Sequence, residues 1–138
     1  MSEDHQLAGV VRFAVMRAAR RLRAEGGNED ITQTQHTVLA WLRDGPSTLR
    51  ALAEREKVQA PWMTRTVAPL VAAGLVQRST GQRDRREVVV SLTEAGSELL
   101  RRTRTQRTEW LAGQLGELDA EDKEILNKAS AILVRITS

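Results

Sequence analysis

The sequence contains no cysteine and no tyrosine. Without thiols, disulfides, thiolate metal sites and thiol nucleophiles are excluded, and so is oxidant sensing through cysteine. That absence fits a reducing cytoplasm. Aromatic residues make up only 3% of the chain, so a core has to be assembled from Leu, Val, Ile, Ala and Met. No apolar run is long enough to span a membrane, and the polar, acidic start (Ser2, Glu3, Asp4) is unlike a signal peptide. The expectation is a cytoplasmic protein that does not associate with membranes. Histidine is scarce as well: His5 and His36 are too few to assemble a metal site. There is no Ser-His-Asp spacing and no glycine-rich phosphate loop, so no catalytic residue, metal or cofactor is expected and enzymatic chemistry finds little support.

What is present is ordinary in amount and informative in position. A chain of 138 residues suits one domain, and a net charge of +3 says little by itself. Its distribution says more. Between Gln59 and Thr93 stand Arg65, Arg78, Arg83, Arg85 and Arg86 against Asp84 and Glu87, whereas Glu117, Asp119, Glu121, Asp122 and Glu124 make a later stretch acidic.

Hydrophobic spacing predicts a first helix over about Leu7 to Arg23, with Leu7, Val10, Val11, Ala14, Ala18 and Leu22 on one stripe and Gly26, Gly27 and Asn28 breaking it. Thr32 and Gln35 form a capping-box pattern for a second helix that buries Val38, Leu39 and Leu42 and stops at Gly45-Pro46. Ser47 or Thr48 caps a third, short helix that turns Leu49, Leu52 and Ala53 inward and ends near Lys57. A fourth runs from about Ala60 to Ala73, with Pro61 in its first turn, Met63, Val67 and Leu70 on one face and Gly74 as its left-handed stop. The period then drops to two. Leu75 to Arg78 reads as a strand, Gly81 to Asp84 as a turn, and Val88, Val90 and Leu92 as one face of the returning strand. Thr93 caps a fifth helix running through Leu99, Leu100, Trp110 and Leu111 toward Leu115. A last helix over about Ala120 to Ile136 aligns Ile125, Ala129, Ile132 and Ile136. The fold class is mainly α with a small β-hairpin.

Two helices, a tight turn, a third helix and a basic hairpin describe a winged helix-turn-helix. The helix after the turn is slim enough for the major groove, where base edges display distinct donor and acceptor patterns. Its exposed N-terminal side offers Gln59, Pro61, Trp62, Thr64 and Arg65, with Thr48 beside it. Gln59 suits an adenine edge and Arg65 a guanine or a phosphate, while Pro61 and Trp62 offer apolar contact to thymine methyls. At the hairpin tip Arg83, Arg85 and Arg86 have the charge for phosphates or a narrow minor groove, and Asp84 is placed to organise guanidinium groups.

Along nearly its whole length the chain resembles the MarR-type regulators, most closely in MTRTVAPLVAAGLVQR and in DRREVVVSLTEAG. The second stretch carries the family's wing signature on Asp84, Arg86, Leu92 and Thr93. The resemblance implies six α-helices with a wing, and a single domain over 1–138. In it, 30–93 would form the DNA-binding lobe, and 5–25 with 94–138 the helices of a homodimer. It further implies binding to a pseudo-palindromic double-stranded DNA operator, usually as a repressor, often released by a small aromatic or phenolic effector. Arg65 matches the family's recognition-helix arginine. Gln59 stands where a capping Ser is usual, and Trp62, in place of a small polar residue, either reaches DNA or is packed.

Phe13, Arg17 and Trp41 are candidates for an effector pocket between the dimer helices and the DNA-binding lobe, with Arg17 suited to a carboxylate or phenolate. For Phe13 and Trp41 plain core packing is preferred, as it is for Trp110. His36 reads as an ordinary helix histidine, with a place beside the effector as the alternative. Arg101, Arg102, Arg104 and Arg107 read as a solvated helix face. Two other functional classes stay open: an architectural DNA-binding protein of low sequence specificity, and a helical protein-interaction module.

Overall fold

A computed structural model describes residues 2–26 and 30–138. Gly27 and Asn28, expected to help break the first helix, lie outside the described residues. The elements run in the order α1 (Glu3–Ala24), α2 (Gln33–Trp41), β1 (Ser47–Thr48), α3 (Leu49–Glu56), α4 (Ala60–Ala72), β2 (Val76–Thr80), β3 (Val88–Leu92), α5 (Glu94–Leu115) and α6 (Ala120–Ile136). Among the described residues these are six α-helices and one antiparallel sheet of order β1-β3-β2.

The capping signals act as expected. Thr32 accepts from the Gln35 backbone N–H at 3.1 Å while the Gln35 side chain accepts from Thr32 N at 2.9 Å. Thr48 accepts from Ala51 N at 3.0 Å, and Asp119 from Asp122 N at 2.8 Å. Gln59 makes no side-chain cap, and Pro61 sits in the first turn of α4. Thr93 does double duty: its hydroxyl accepts from Gly96 N at 3.2 Å and donates to the Gly74 carbonyl at 2.6 Å, tying the end of α4 to the start of α5. Gly74 takes φ +75°, which a side chain would resist.

Two local features differ from the sequence reading. Ser47 and Thr48, expected only as caps, also form β1, pairing with Val90 and Val89. A capping residue already has the extended φ and ψ of a strand, so Thr48 can end one element and begin another. β2 starts one residue later than expected and runs on to Thr80, which pairs with Val88, so the tip covers 81–87. Apart from Val76, the residues of β2 are exposed, and such a strand shows no alternation from which its end could be read.

The chain divides into two compact units. One, Gly26–Arg104, carries α2 to β3 and the first turns of α5. Its core joins Val38, Leu39 and Leu42 to Leu52, to Met63, Val67 and Leu70, and to Val76, Val90, Leu99 and Leu100. Each such side chain contributes about 1.5–3 kcal/mol on burial.

The other unit holds Met1–Glu25 and Thr105–Ser138. Neither α1 nor α6 has a fully buried residue. Phe13, read as core packing, is instead 62% exposed, on the rim of a hollow that α1 forms with α5 and α6. Arg107 likewise departs from the solvated face expected of it. Its Nε donates to the Glu25 carbonyl at 3.1 Å and its Nη2 to the Arg23 carbonyl at 3.4 Å, serving carbonyls that the end of α1 leaves without helical partners. Burial, with the neighbouring Arg23 charge second, pulls the Arg107 pKa down. Arg21 lies over the Trp110 ring, 4.8 Å from its centroid.

Gly96 packs so closely that a Cβ there would fall well inside van der Waals contact distance of the Leu75 carbonyl oxygen. We expect Gly96→Ala to destabilise the winged-helix unit by about 1–3 kcal/mol. Thermal denaturation followed by circular dichroism should show a Tm lower by roughly 3–12 °C.

Candidate nucleic-acid interface

With Met63, Val67 and Leu70 turned into the core at helical spacing, α4 has to present Pro61, Trp62, Thr64 and Arg65 outward, and all four are exposed. Trp62 keeps 36% of its surface accessible, so it is not a core tryptophan. Gln59, at the mouth of the helix, is exposed too and has no capping task to hold it there.

The wing stands on β3, whose Val90 is fully buried, and its tip is ordered by one carboxylate. Asp84 Oδ1 accepts from the Arg86 backbone N at 3.0 Å and from its Nε at 3.2 Å, and Oδ2 accepts from Nη2 at 3.4 Å. The Arg86 side chain nonetheless stays 92% exposed. These hydrogen bonds, the side-chain ones first and the backbone one second, hold the Asp84 carboxyl below the usual aspartate range. Arg83 and Arg85 project from the same loop and are exposed.

Two hollows adjoin α4. One, of about 510 Å³, lies where the N-terminal ends of α3 and α4 meet the base of the wing and brings Thr48, Thr64, Asp84 and Arg86 together. The second, of about 320 Å³, sets Trp62 and Arg65 beside Thr32, Thr34 and Gln35 at the start of α2. Gln59, Pro61, Arg83 and Arg85 lie outside both hollows.

Sequence reasoning missed Arg50 and Glu87, which line the first hollow. Arg50 did carry a signal. It stands in the first turn of α3, where the helix dipole disfavours a cation, and its contact with Glu54 at 3.6 Å is an exposed pair of little worth.

The effector candidates are divided between the two units. Phe13 and Arg17 line a hollow of about 640 Å³ within the α1, α5 and α6 unit. His36 and Trp41 belong to the winged-helix unit, where His36 is half-buried in α2. Trp41 is engaged there: its Nε1 donates to Glu56 Oε1, and the Arg55 guanidinium lies 3.8 Å from its ring centroid. These contacts fasten α2 to α3. Among the described residues, no cluster of three or more His, Cys, Asp or Glu could hold a metal ion, and no helix is long and apolar enough to cross a membrane.

A model of the MarR family matches residues 31–88. A helix-turn-helix-type transcriptional regulator of Mycobacterium bovis is 36% identical over 137 residues, which cover 99% of this chain and 96% of that one. The helix-turn-helix-type transcriptional repressor NicR of Pseudomonas putida is 34% identical over 96 residues, covering 69% of this chain and 61% of its own. Among solved structures, a transcriptional regulator of Pseudomonas aeruginosa matches with a TM-score of 0.88 at 28% identity, over 99% of this chain and 98% of that one.

The wing geometry sets a pH dependence. Because the folded-state pKa of Asp84 is depressed, its pairing with Arg86 should persist as the pH falls through the ordinary aspartate range. It should be lost only lower, as the pH passes the depressed value. The Arg86 Nε–H resonance, followed by NMR across an acid titration, should report that transition, and Asp84→Asn should abolish it.

Proposed function

This chain belongs to the MarR family of transcriptional regulators, and from that premise we propose that it is a cytoplasmic repressor that grips a pseudo-palindromic operator as a homodimer and is released by a small organic effector. DNA-binding regulation of transcription, rather than catalysis, is the activity of the family. The observation that carries the finer reading is the pairing of an outward α4 with an arginine-tipped wing around one shared hollow.

The division of labour follows from chemistry. α4 enters the major groove, where Arg65 reads a guanine or holds a phosphate and Gln59 reads an adenine edge. Pro61 and Trp62 meet thymine methyls. Arg83, Arg85 and Arg86 grip phosphates or reach a narrow minor groove, and Asp84 keeps the Arg86 fork pre-aimed. Thr48 and Thr64, at the hollow between them, offer hydroxyls to the backbone.

Support for the dimer comes from α1 and α6. Leu7 and Val10 are 61% and 67% exposed, and Ile125, Ile132 and Ile136 are 54%, 46% and 67% exposed, on helices without a fully buried residue. A second copy offers the same faces in return, and two half-sites need two recognition helices. The repressor role is supported by the name of the Pseudomonas putida relative. Release by an effector requires that the ligand bind the DNA-incompetent state more tightly.

Fluorescence anisotropy on a duplex that the protein selects from a randomised pool tests this reading. Arg65→Ala should weaken binding by about 1–3 kcal/mol and relax preference at one position of each half-site. Arg86→Ala should weaken binding evenly across sequences and lower the salt slope by about one. Wild-type affinity in both variants would remove the mechanism. Equal affinity for selected and random duplexes at fixed salt would instead favour the architectural protein.

A further inference from the structure

The hollow between α4 and the wing holds a charge that gripping DNA does not call for. Glu87 lines it beside Arg50 and Arg86, at the foot of the wing. The loop fixes where this side chain lies. The Glu87 backbone N donates to the Asp84 carbonyl at 3.1 Å, and the Glu87 carbonyl accepts from Gly81 N at 3.0 Å. The side chain then folds over Gly81: a Cβ on that glycine would stand 3.1 Å from Glu87 Oε2 and 3.2 Å from Glu87 Cβ. It would also stand 2.5 Å from the Asp84 carbonyl oxygen, so the absence of a side chain at 81 is what gives the carboxylate its bed.

Neither cation of the hollow cancels that charge. Arg86 is held by Asp84 through its Nε and Nη2, and the ion-pair partner of Arg50 is Glu54. Among the described residues Glu87 makes no ion pair, and it is exposed.

From this geometry we propose that Glu87 limits the affinity for DNA: its carboxylate faces the sugar-phosphate strand and repels it. The inference rests on the groove reading given above. With α4 in the major groove and the wing over the neighbouring minor groove, the strand that divides the two grooves has to cross between them. The space for it is the hollow where the N-terminal ends of α3 and α4 meet the base of the wing. Arg50 and Arg86 attract that strand, and Glu87 subtracts from their pull. Repulsion between two charges takes no account of base identity and is weakened by salt. It therefore removes affinity from every duplex alike and leaves the choice among sequences to α4. Occupancy of non-operator DNA falls, because backbone contacts are what hold the protein there.

Reading a base is the competing assignment, since a carboxylate accepts from the cytosine amino group. The position of Glu87 argues against it. The residue stands on the wing side of the hollow, and its carboxylate lies back over Gly81 instead of reaching out toward base edges.

Fluorescence anisotropy of the full chain across a salt series, on the selected duplex and on a random one, tests the assignment. At about 0.1 M salt Glu87→Gln should bind both duplexes roughly three- to tenfold more tightly than wild type. Its plot of log affinity against log salt should be steeper by up to about one, and Glu87→Lys should go further in both respects. A side chain that merely braced the wing would weaken binding when replaced, whatever the charge of its substitute. Circular dichroism establishes that each variant is folded. Unchanged affinity, weaker binding, or a gain that persists undiminished in high salt would overturn the proposal. So would a changed preference at one base pair in Glu87→Gln, which would make Glu87 a reader of bases. If Arg86→Ala flattens the salt slope while Glu87→Gln leaves it alone, this inference fails and the operator reading stands. Wild type that binds no duplex removes both.

Discussion

Closure of Met63, Val67 and Leu70 into the core is the constraint from which the outward face of α4 follows. Three apolar side chains at helical spacing fix the rotation of α4 about its own axis. Once that rotation is fixed, Trp62, Thr64 and Arg65 can only point away from Leu39 and Leu52. The binding chemistry is thus delivered by burial on the opposite face. No hydrogen bond needs to aim these side chains, and Gln59, which carries no capping bond, is left available at the helix mouth. The same core seats Val90 of β3, so the wing springs from the layer that orients α4. A shared foundation keeps the distance between helix and wing constant, and a reader of grooves depends on that distance.

Charge is handled differently on the two sides of that hollow. On the wing, Asp84 gives up part of the local positive potential to hold Arg86 in one direction, and the result is a fork that is ordered and yet 92% exposed. Arg83 and Arg85 keep their full charge. One arginine of the tip is thus held by a carboxylate while its two neighbours are exposed. On α3, Arg50 lines the same hollow from the first turn of the helix, with Glu54 one turn away.

α5 links the two kinds of task. Its first turns bury Gly96, Leu99 and Leu100 in the winged-helix core, and its later part supplies Trp110 and the Arg107 fork that holds the end of α1. It does so as one continuous helix of 22 residues.

The helices, the capping box at Thr32, the left-handed stop at Gly74 and the inward faces of α2 to α4 could all be read from the chain. Periodicity and capping are local, and residues within one turn settle them. The arginine cluster of the wing and the outward set on α4 were legible for the same reason. Other features needed the assembled fold. The pairing of Ser47 and Thr48 with β3 joins residues some forty positions apart, and two residues carry no period. Arg107 looked like one more solvated arginine until the end of α1 lay beside it. Phe13 looked like core until α1, α5 and α6 proved to leave it 62% exposed beside an open hollow. Local patterns state which face of an element is apolar. Only tertiary packing decides what, if anything, that face meets, because contact between distant segments depends on distances that no neighbouring residue encodes.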